Sequence, residues 1–194
     1  MMDYIETLEQ IRKFAIEHEK KSRYEHSVRV AETCAQICRR YGLDDDKGYL
    51  AGIGHDICKD FSDEDMITLA AKDGDEIIDY DRRHPALLHG RAAAVTLKEK
   101  FGIKDKDILE AVANHTSGVS GMCDLTKCLF LADKIEPGRP QSTQEYRDNL
   151  MSMTLDQMFY SVLYENYEYI TNKGYELYPT TEKMLKEYKV SLPE

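Results

Sequence analysis

The spacing of apolar residues and prolines restricts this chain more than any other feature. Apolar residues recur at intervals of three and four, the period of one helix face, and no run alternates strictly between apolar and polar residues. Proline interrupts helices, but the prolines stand only at positions 85, 137, 140, 179 and 193, so most of the chain is free to be helical. The sequence therefore predicts an all-α protein, a helical bundle that is not a coiled coil.

Start and stop signals divide the chain into a series of helices. Ser22, followed three residues later by Glu25, resembles a capping box at the start of the second helix, and Gly42 provides its stop. The predicted helices cover about 3–19, 22–41, 45–58, a short segment after Ser62, 85–101, 105–114, 125–135, 143–171 and 181–188. We expect one domain over 1–194, with a core at about 20–140 and a C-terminal helical extension at about 141–194.

Charge and apolar run length exclude several classes of function. The chain of 194 residues has 26 basic and 36 acidic residues, a formal net charge of −10. Because this charge repels polyanions, we expect no nucleic-acid binding, and an anionic substrate requires a local cation. The longest apolar runs, such as 128–132, are far shorter than a membrane span, and the N-terminus lacks the features of a signal peptide. We therefore expect a cytoplasmic protein without membrane contact.

The cysteines agree with that location. The five cysteines form no CxxC pair, which is typical of reduced thiols. Cys34 and Cys38 lie one helical turn apart among apolar residues, so we expect small core side chains rather than metal ligands.

Several histidines and carboxylates occupy positions that face inward on the predicted helices. His26 lies on an apolar stripe, and Asp133 lies one turn past Leu129 in an apolar segment, where an unpaired carboxylate is costly. A lone histidine of this kind is more often a hydrogen-bonded core residue, but the adjacent pair His55-Asp56 indicates a metal site more strongly. Buried imidazoles and carboxylates from several helices favour Fe, Mn, Co or Zn over Ca.

Five short segments resemble the HD superfamily of metal-dependent phosphohydrolases, and within it the bacterial YqeK family. They are 22–27, 54–59, 87–90, 114–118 and 131–139, and the last contains the string Ala-Asp-Lys-Ile-Glu-Pro-Gly-Arg. The His-Asp pair alone is moderately specific, whereas this string and the combination of five segments are much more so. The family is assigned as symmetrical bis(5′-nucleosyl)-tetraphosphatase, which splits diadenosine tetraphosphate into two ADP.

This resemblance implies an HD-domain helical bundle with two metal ions, most often described as iron, with manganese or cobalt as alternatives. The implied metal ligands are His26, His55, Asp56, His89, His115 and Asp133, and Asp56 is expected to bridge the ions. His84 competes with His89 for one ligand position, but the segment Leu-Leu-His-Gly favours His89. His84 and His18 are expected to be exposed.

The chemistry of a phosphoanhydride suits such a centre. Two ions about 3.5–4 Å apart share and deprotonate one water, so the hydroxide that they bridge attacks phosphorus without a separate strong base. Lys59 and Arg139 are candidate cations for phosphate, and with Asp56 we assign Lys59 to catalysis. The hydroxyls of Thr116 and Ser117 and the backbone of Gly118 are further candidate substrate contacts. An alternative interpretation is that Lys59, Arg139 and Lys134 are ordinary surface charges. The side chain of Lys134 is also free to point away from the ligands.

Eight of the thirteen tyrosines lie between Tyr146 and Tyr188. One interpretation is a wall that stacks on adenine; the other, which we favour, is packing of the C-terminal helices or a homodimer contact.

Three alternatives to symmetrical dinucleotide hydrolysis follow from the same residues. The first is an HD phosphohydrolase for another nucleotide, such as a nucleoside monophosphate or an alarmone. The second is a di-iron oxygenase, and the third is a nucleotide-binding module without catalysis.

Overall fold

The computed structural model describes residues 4–189, and within that range the regular secondary structure is entirely helical. The helices are α1 (Tyr4–His18), α2 (Lys21–Arg40), α3 (Asp45–Gly54), α4 (Asp63–Ala70), α5 (Asp79–Arg83), α6 (His89–Lys100), α7 (Lys106–Asn114), α8 (Asp124–Ile135), α9 (Gln144–Met151), α10 (Leu155–Asn172) and α11 (Thr181–Lys189). Short 3₁₀ turns cover Ala71–Asp73 and Pro85–Leu88. The predicted all-α fold class is confirmed.

Local capping explains where the predicted boundaries were wrong. The predicted helix over 143–171 is two helices, because Thr154 forms a reciprocal capping box with Gln157 and starts α10 afresh. The capping box predicted at Ser22 is also wrong: α2 begins at Lys21, after Lys20, whose side chain makes no capping hydrogen bond. The third helix ends at Gly54 rather than Cys58, so His55 and Asp56 stand just beyond its end.

The core forms where α2, α3, α6, α7 and α8 pack together. Helices α2 and α3 approach closely because Gly52 has no side chain: a Cβ there would lie 2.4 Å from the Cα of Ala31. Cys34 and Cys38 are fully buried in this core, which confirms their predicted packing role. On α1, Ile11, Phe14 and Ala15 are buried against this core, whereas Ile5 and Ile16 are exposed.

The C-terminal helices extend the same apolar core. Phe130 of α8 contacts Phe159 of α10 at a ring-centroid distance of 5.1 Å, and Phe159 contacts Tyr188 of α11 at 4.8 Å. Because of the contact between Phe130 and Phe159, α10 lies beside the half of α8 that carries Asp133.

Among residues 4–189, no helix combines the length and the apolar character that crossing a membrane requires.

Candidate metal centre

The six predicted ligands come from five elements and meet at one place. His26 lies in α2 and Asp133 in the last turn of α8; His55 and His115 cap the C-termini of α3 and α7, and His89 opens α6. They surround a hollow of about 380 Å³, with His55 buried behind its wall. Side chains more than a hundred residues apart in sequence thus converge as expected.

The ligand atoms form two groups that share Asp56. One group is His26, His55 and Asp56; the other is Asp56, His89 and His115, and within each group the ligand atoms lie within 4.8 Å of one another. Asp56 Oδ1 lies 3.1 Å from His89 Nε2, while its Oδ2 lies 3.7 Å from His55 Nε2. Asp133 Oδ1 joins the first group, 3.1 Å from His26 Nε2. The two oxygens of one carboxylate therefore face two ligand sets.

Backbone carbonyls orient three of the imidazoles. His55, His89 and His115 each donate Nδ1–H to the carbonyl three residues earlier, at 2.7, 2.7 and 2.8 Å. The last carbonyls of a helix lack partners within the helix, so a histidine placed there satisfies one of them. This fixes the tautomer in which Nε2 carries a free lone pair directed at the centre.

His26 is oriented instead by a carboxylate. Glu136 Oε1 lies 3.0 Å from His26 Nδ1, and Glu136 itself is almost fully buried. Arg29 holds Glu136 through Nε at 2.6 Å and Nη2 at 3.2 Å, and the backbone N–H of Gly138 donates to the same carboxylate. A Cβ at Gly138 would lie 2.6 Å from Arg29 Nε, so this clamp requires glycine there.

Burial and charge set the protonation states. Burial alone would raise the pKa of Asp56, but His55, His89 and His115 outweigh it and hold that pKa well below its usual range. Burial lowers the pKa of His55 and His115. Lowered pKa values favour neutral imidazoles at His55 and His115 beside an ionised Asp56, which is the protonation state that binds metals.

His26 differs from the other histidines. Burial would lower its pKa, but hydrogen bonds to Asp133 and Glu136 outweigh this and raise it. Because both ring nitrogens of His26 face carboxylates, a cation that takes Nε2 must displace its hydrogen bond to Asp133.

One buried atom tests whether this donor set fits a metal. His55 is fully buried, its Nδ1 is bonded to Gly52, and its Nε2 has no hydrogen-bond partner. A buried polar atom without a partner costs about 1–3 kcal/mol, and this one points toward Asp56 and, at 4.0 Å, Asp133 Oδ1. A cation between these groups satisfies all of them, so the residues fit divalent metal binding.

Cations line the mouth of the hollow. Lys59 Nζ donates to the carbonyl of Ala86 at 3.3 Å and lies 2.9 Å from His89 Nδ1. Arg139 Nη2 donates to Asp133 Oδ1 at 2.6 Å, and its Nε donates to the Asp133 carbonyl. Both predicted cations thus line the hollow.

The other predicted substrate contacts do not all lie in the hollow. Thr116 Oγ1 lies 3.1 Å from His115 Nε2, inside the hollow. Ser117 lines a neighbouring, smaller cavity. Gly118 has a φ of +70°, and a Cβ there would meet Met184 Sδ at 2.9 Å, so it faces α11. The predicted phosphate contacts of Ser117 and Gly118 stay predictions.

Sequence reasoning gave no role to three charged residues that the structure brings to the centre. Arg23 Nη1 binds Asp56 Oδ2 at 3.1 Å. Lys134 Nζ lies 3.4 Å from Asp133 Oδ2 and 4.1 Å from the Phe130 ring centroid, so it does not point away from the ligands. Glu136 follows Asp133 by three residues, about one helical turn, and stands in the string 132–139 that carries the family resemblance; these are the sequence signals that it belongs here.

The two remaining histidines lie elsewhere. His18 is exposed and stacks on Phe14 at a ring-centroid distance of 3.9 Å. His84 caps the C-terminus of α5, is half-buried rather than exposed as expected, and lies 3.3 Å from Glu176 Oε2. His89, not His84, therefore joins the ligand groups.

A comparison with known protein families shows which family the chain belongs to. The HD domain family matches residues 23–138, the segment from Arg23 to the Gly138 clamp. The chain belongs to the HD domain family. This membership agrees with the geometry, since the HD pair of this chain is His55-Asp56, at the junction of the two ligand groups.

Relatives of this HD domain protein cover nearly its whole length. A protein of Staphylococcus aureus described as "Bis(5′-nucleosyl)-tetraphosphatase, symmetrical" is 31% identical over 95% of this chain and 95% of its own. A Bacillus subtilis protein of the same description is 30% identical over 82% of this chain and 85% of its own. A Clostridium acetobutylicum crystal structure, described as a "predicted HD superfamily hydrolase involved in NAD metabolism", superposes with a TM-score of 0.87 at 28% identity, over 95% of this chain and 97% of that one. The HD-domain fold is thereby confirmed.

Proposed function

We propose that this protein hydrolyses dinucleoside tetraphosphates, diadenosine tetraphosphate above all, symmetrically to two nucleoside diphosphates. The observation that carries the proposal is the carboxylate of Asp56, shared by two ligand groups at the floor of a hollow whose mouth is lined with cations. The described activities of the full-length relatives support the same substrate class.

Two metal ions, iron first and manganese or cobalt as alternatives, are proposed for the two ligand groups. His26, His55, Asp56 and Asp133 would hold one ion, and Asp56, His89 and His115 the other, with Asp56 between them. When bound, such a pair supplies an activated water and neutralises phosphoryl oxygens. The imidazole and carboxylate donors of these groups are the ligands that suit first-row transition metals.

The basic side chains of the chain hold the tetraphosphate. Lys59, Arg139 and Arg23 line the hollow, and Lys134 adjoins it beside Asp133, so four cations offset the charge of the substrate within a protein of net charge −10. Burial lowers the pKa of Lys59 and of Lys134. The guanidinium of Arg139 uses Nε and one Nη2 hydrogen on Asp133, which leaves further N–H groups for phosphate.

The proposed cut falls in the middle of the tetraphosphate, as the descriptions of the relatives suggest. In-line attack on one of the two inner phosphorus atoms breaks the bond to the oxygen between them, and the leaving group is a nucleoside diphosphate. Lys59 and Arg139 stabilise charge on that oxygen, and Thr116 offers a hydroxyl donor inside the hollow. Asp56 and Lys59 are the residues that we assign to catalysis.

Product analysis tests this proposal. Metal-loaded protein should convert diadenosine tetraphosphate to ADP as the sole product, at equal rates with and without oxygen. The variant Asp133→Ala should lose activity by more than about a hundredfold because a ligand is missing. His84→Ala removes a histidine outside the centre and serves as the control. Formation of AMP plus ATP, or full activity in Asp133→Ala, would contradict the proposal.

A further inference from the structure

A second hollow of about 610 Å³ lies beside the metal centre. It shares Asp133 and Arg139 with the first hollow, so the two hollows adjoin at these side chains, and together we call them the cleft. The walls of the second hollow are the turn that follows α8, with Pro140 and Gln141, and the helices α9 and α10. The second hollow therefore begins beside Arg139, a cation that the proposed function assigns to phosphate.

Helix α10 presents one face to this second hollow. Val162, Glu165, Asn166 and Tyr169 follow the spacing i, i+3, i+4, i+7 and share one side of the helix. Tyr160, Tyr164 and Tyr167 lie on the opposite side, where their rings contact one another at centroid distances of 6.1 Å. The tyrosines on the two sides of α10 therefore have different surroundings. Tyr160, Tyr164 and Tyr167 pack on one another, whereas Tyr169 borders the second hollow.

The chemistry of the second hollow differs from that of the first. Tyr169 is 59% exposed, and Tyr146 provides further aromatic surface. Asn166 offers amide donors and acceptors, and Glu165 contributes a carboxylate. A carboxylate repels phosphate but accepts hydrogen bonds from hydroxyl and amino groups, so this end suits an uncharged, flat, polar-edged group.

We propose that the second hollow binds one nucleoside of the substrate, with the base stacked on Tyr169 and its polar edge toward Asn166. This rests on the proposed function, because the phosphate chain must lead from the metal centre past Arg139 into the hollow. The cationic end and the aromatic end then match the two chemically distinct parts of a nucleoside polyphosphate.

The chain contains no tryptophan, which gives a direct optical test. The variant Y169W introduces a single indole at the hollow, and Y164W introduces one on the opposite face of the same helix, where Tyr164 is 42% exposed. ADP added to metal-loaded protein should quench the indole emission of Y169W and leave that of Y164W unchanged. Inorganic diphosphate, which has no base, should quench neither.

Kinetics provide a second readout on the same residue. Tyr169→Ser should raise KM for diadenosine tetraphosphate about tenfold with kcat nearly unchanged, since loss of stacking weakens binding rather than chemistry. Tyr164→Ser should change neither constant.

Absence of quenching in Y169W up to millimolar ADP, or an unchanged KM in Tyr169→Ser, overturns the nucleoside site while leaving symmetrical hydrolysis intact. If wild-type protein fails to cleave the dinucleotide but ADP quenches Y169W, the proposed reaction fails and the nucleoside site stands.

Discussion

Glu136 occupies a key position at the residue scale because it joins a ligand to the rest of the fold. The other three histidines are held by carbonyls that any sequence supplies, whereas His26 depends on one carboxylate and its clamp of Arg29 and Gly138. A carboxylate behind a ligating imidazole fixes the ring and raises its basicity. Metal affinity at His26 should therefore respond to a residue that touches no metal.

Removing this carboxylate should weaken metal binding. We expect Glu136→Ala to lower the affinity of the first ion by about 10- to 100-fold, and Glu136→Gln, which keeps an acceptor for His26, to lose less. Calorimetric titration with Mn²⁺ measures both. Glu25→Gln, an exposed change one residue before His26, is the matched control. Unchanged affinity in Glu136→Ala would refute the role.

Glu19 is a second residue whose burial sequence reasoning missed. Its carboxylate is 7% exposed, accepts from Ser27 at 3.2 Å, and has one oxygen without a partner. Burial, with Asp56 adding to it, raises the pKa of Glu19 from 4.5 to about 7. The folded state therefore binds a proton more tightly than the unfolded chain between these two values.

The sign of the pH effect follows from that difference. In chelator-treated protein, the contribution of Glu19 favours folding below pH 4.5 and is lost as the pH rises through about 7. The shift corresponds to about 3 kcal/mol, so Glu19→Gln should stabilise the protein by up to that amount more at pH 8 than at pH 5. Urea unfolding of both proteins at the two pH values measures this. If Glu19→Gln and the wild type differed in unfolding free energy by the same amount at pH 5 and pH 8, the raised pKa of Glu19 would be refuted.

At the scale of elements, the presence of a helix was easier to predict than the residues at which it begins and ends. Apolar periodicity identifies α2 and α7 because each buries one face in the core, whereas α8 is identified by a continuous apolar run because it is buried on all sides from Leu125 to Ala132. The break between α9 and α10 depends on Thr154 and Gln157, a local capping signal inside a segment that is otherwise favourable for one helix. Periodicity does not show the residue at which a helix begins, and this accounts for the errors at Ser22 and Thr154.

The contact of α2 with α3 gives an element-scale prediction. Alanine is favoured over glycine inside a helix by about 1 kcal/mol, but a Cβ at Gly52 meets the Ala31 backbone at 2.4 Å. At Gly54 a Cβ meets only the flexible Leu97 methyl at 3.0 Å. We expect Gly52→Ala to lower the free energy of unfolding by about 3 kcal/mol and Gly54→Ala by clearly less. If denaturant unfolding showed the same loss of unfolding free energy in Gly52→Ala and Gly54→Ala, this packing would be contradicted.

At the scale of the whole molecule, the sequence indicated which six side chains converge but not what surrounds them. Histidines next to apolar runs and the buried Asp133 are readable from the sequence, because a charge in such a segment requires a partner. Arg23, Lys134 and the α10 face of the second hollow were not readable, since their roles depend on side-chain direction and on how α10 packs against α8. Long-range packing determines these features, and no local pattern encodes it.

The candidate ligands come from α2, α3, α6, α7 and α8 or from the residues just beyond them, so a metal bound there would link most of the core helices. A ligand that binds only the folded state at a hundred times its Kd adds about 2.7 kcal/mol, which raises Tm by about 5–10 °C in a chain of this size. Adding Mn²⁺ to chelator-treated protein should therefore raise Tm by that amount. Asp56→Asn should lose most of the shift because Asp56 belongs to both ligand groups. His84→Ala should keep it, because His84 lies outside them. A Tm that does not respond to metal would mean that the six side chains are held together by their own hydrogen bonds and not by a cation.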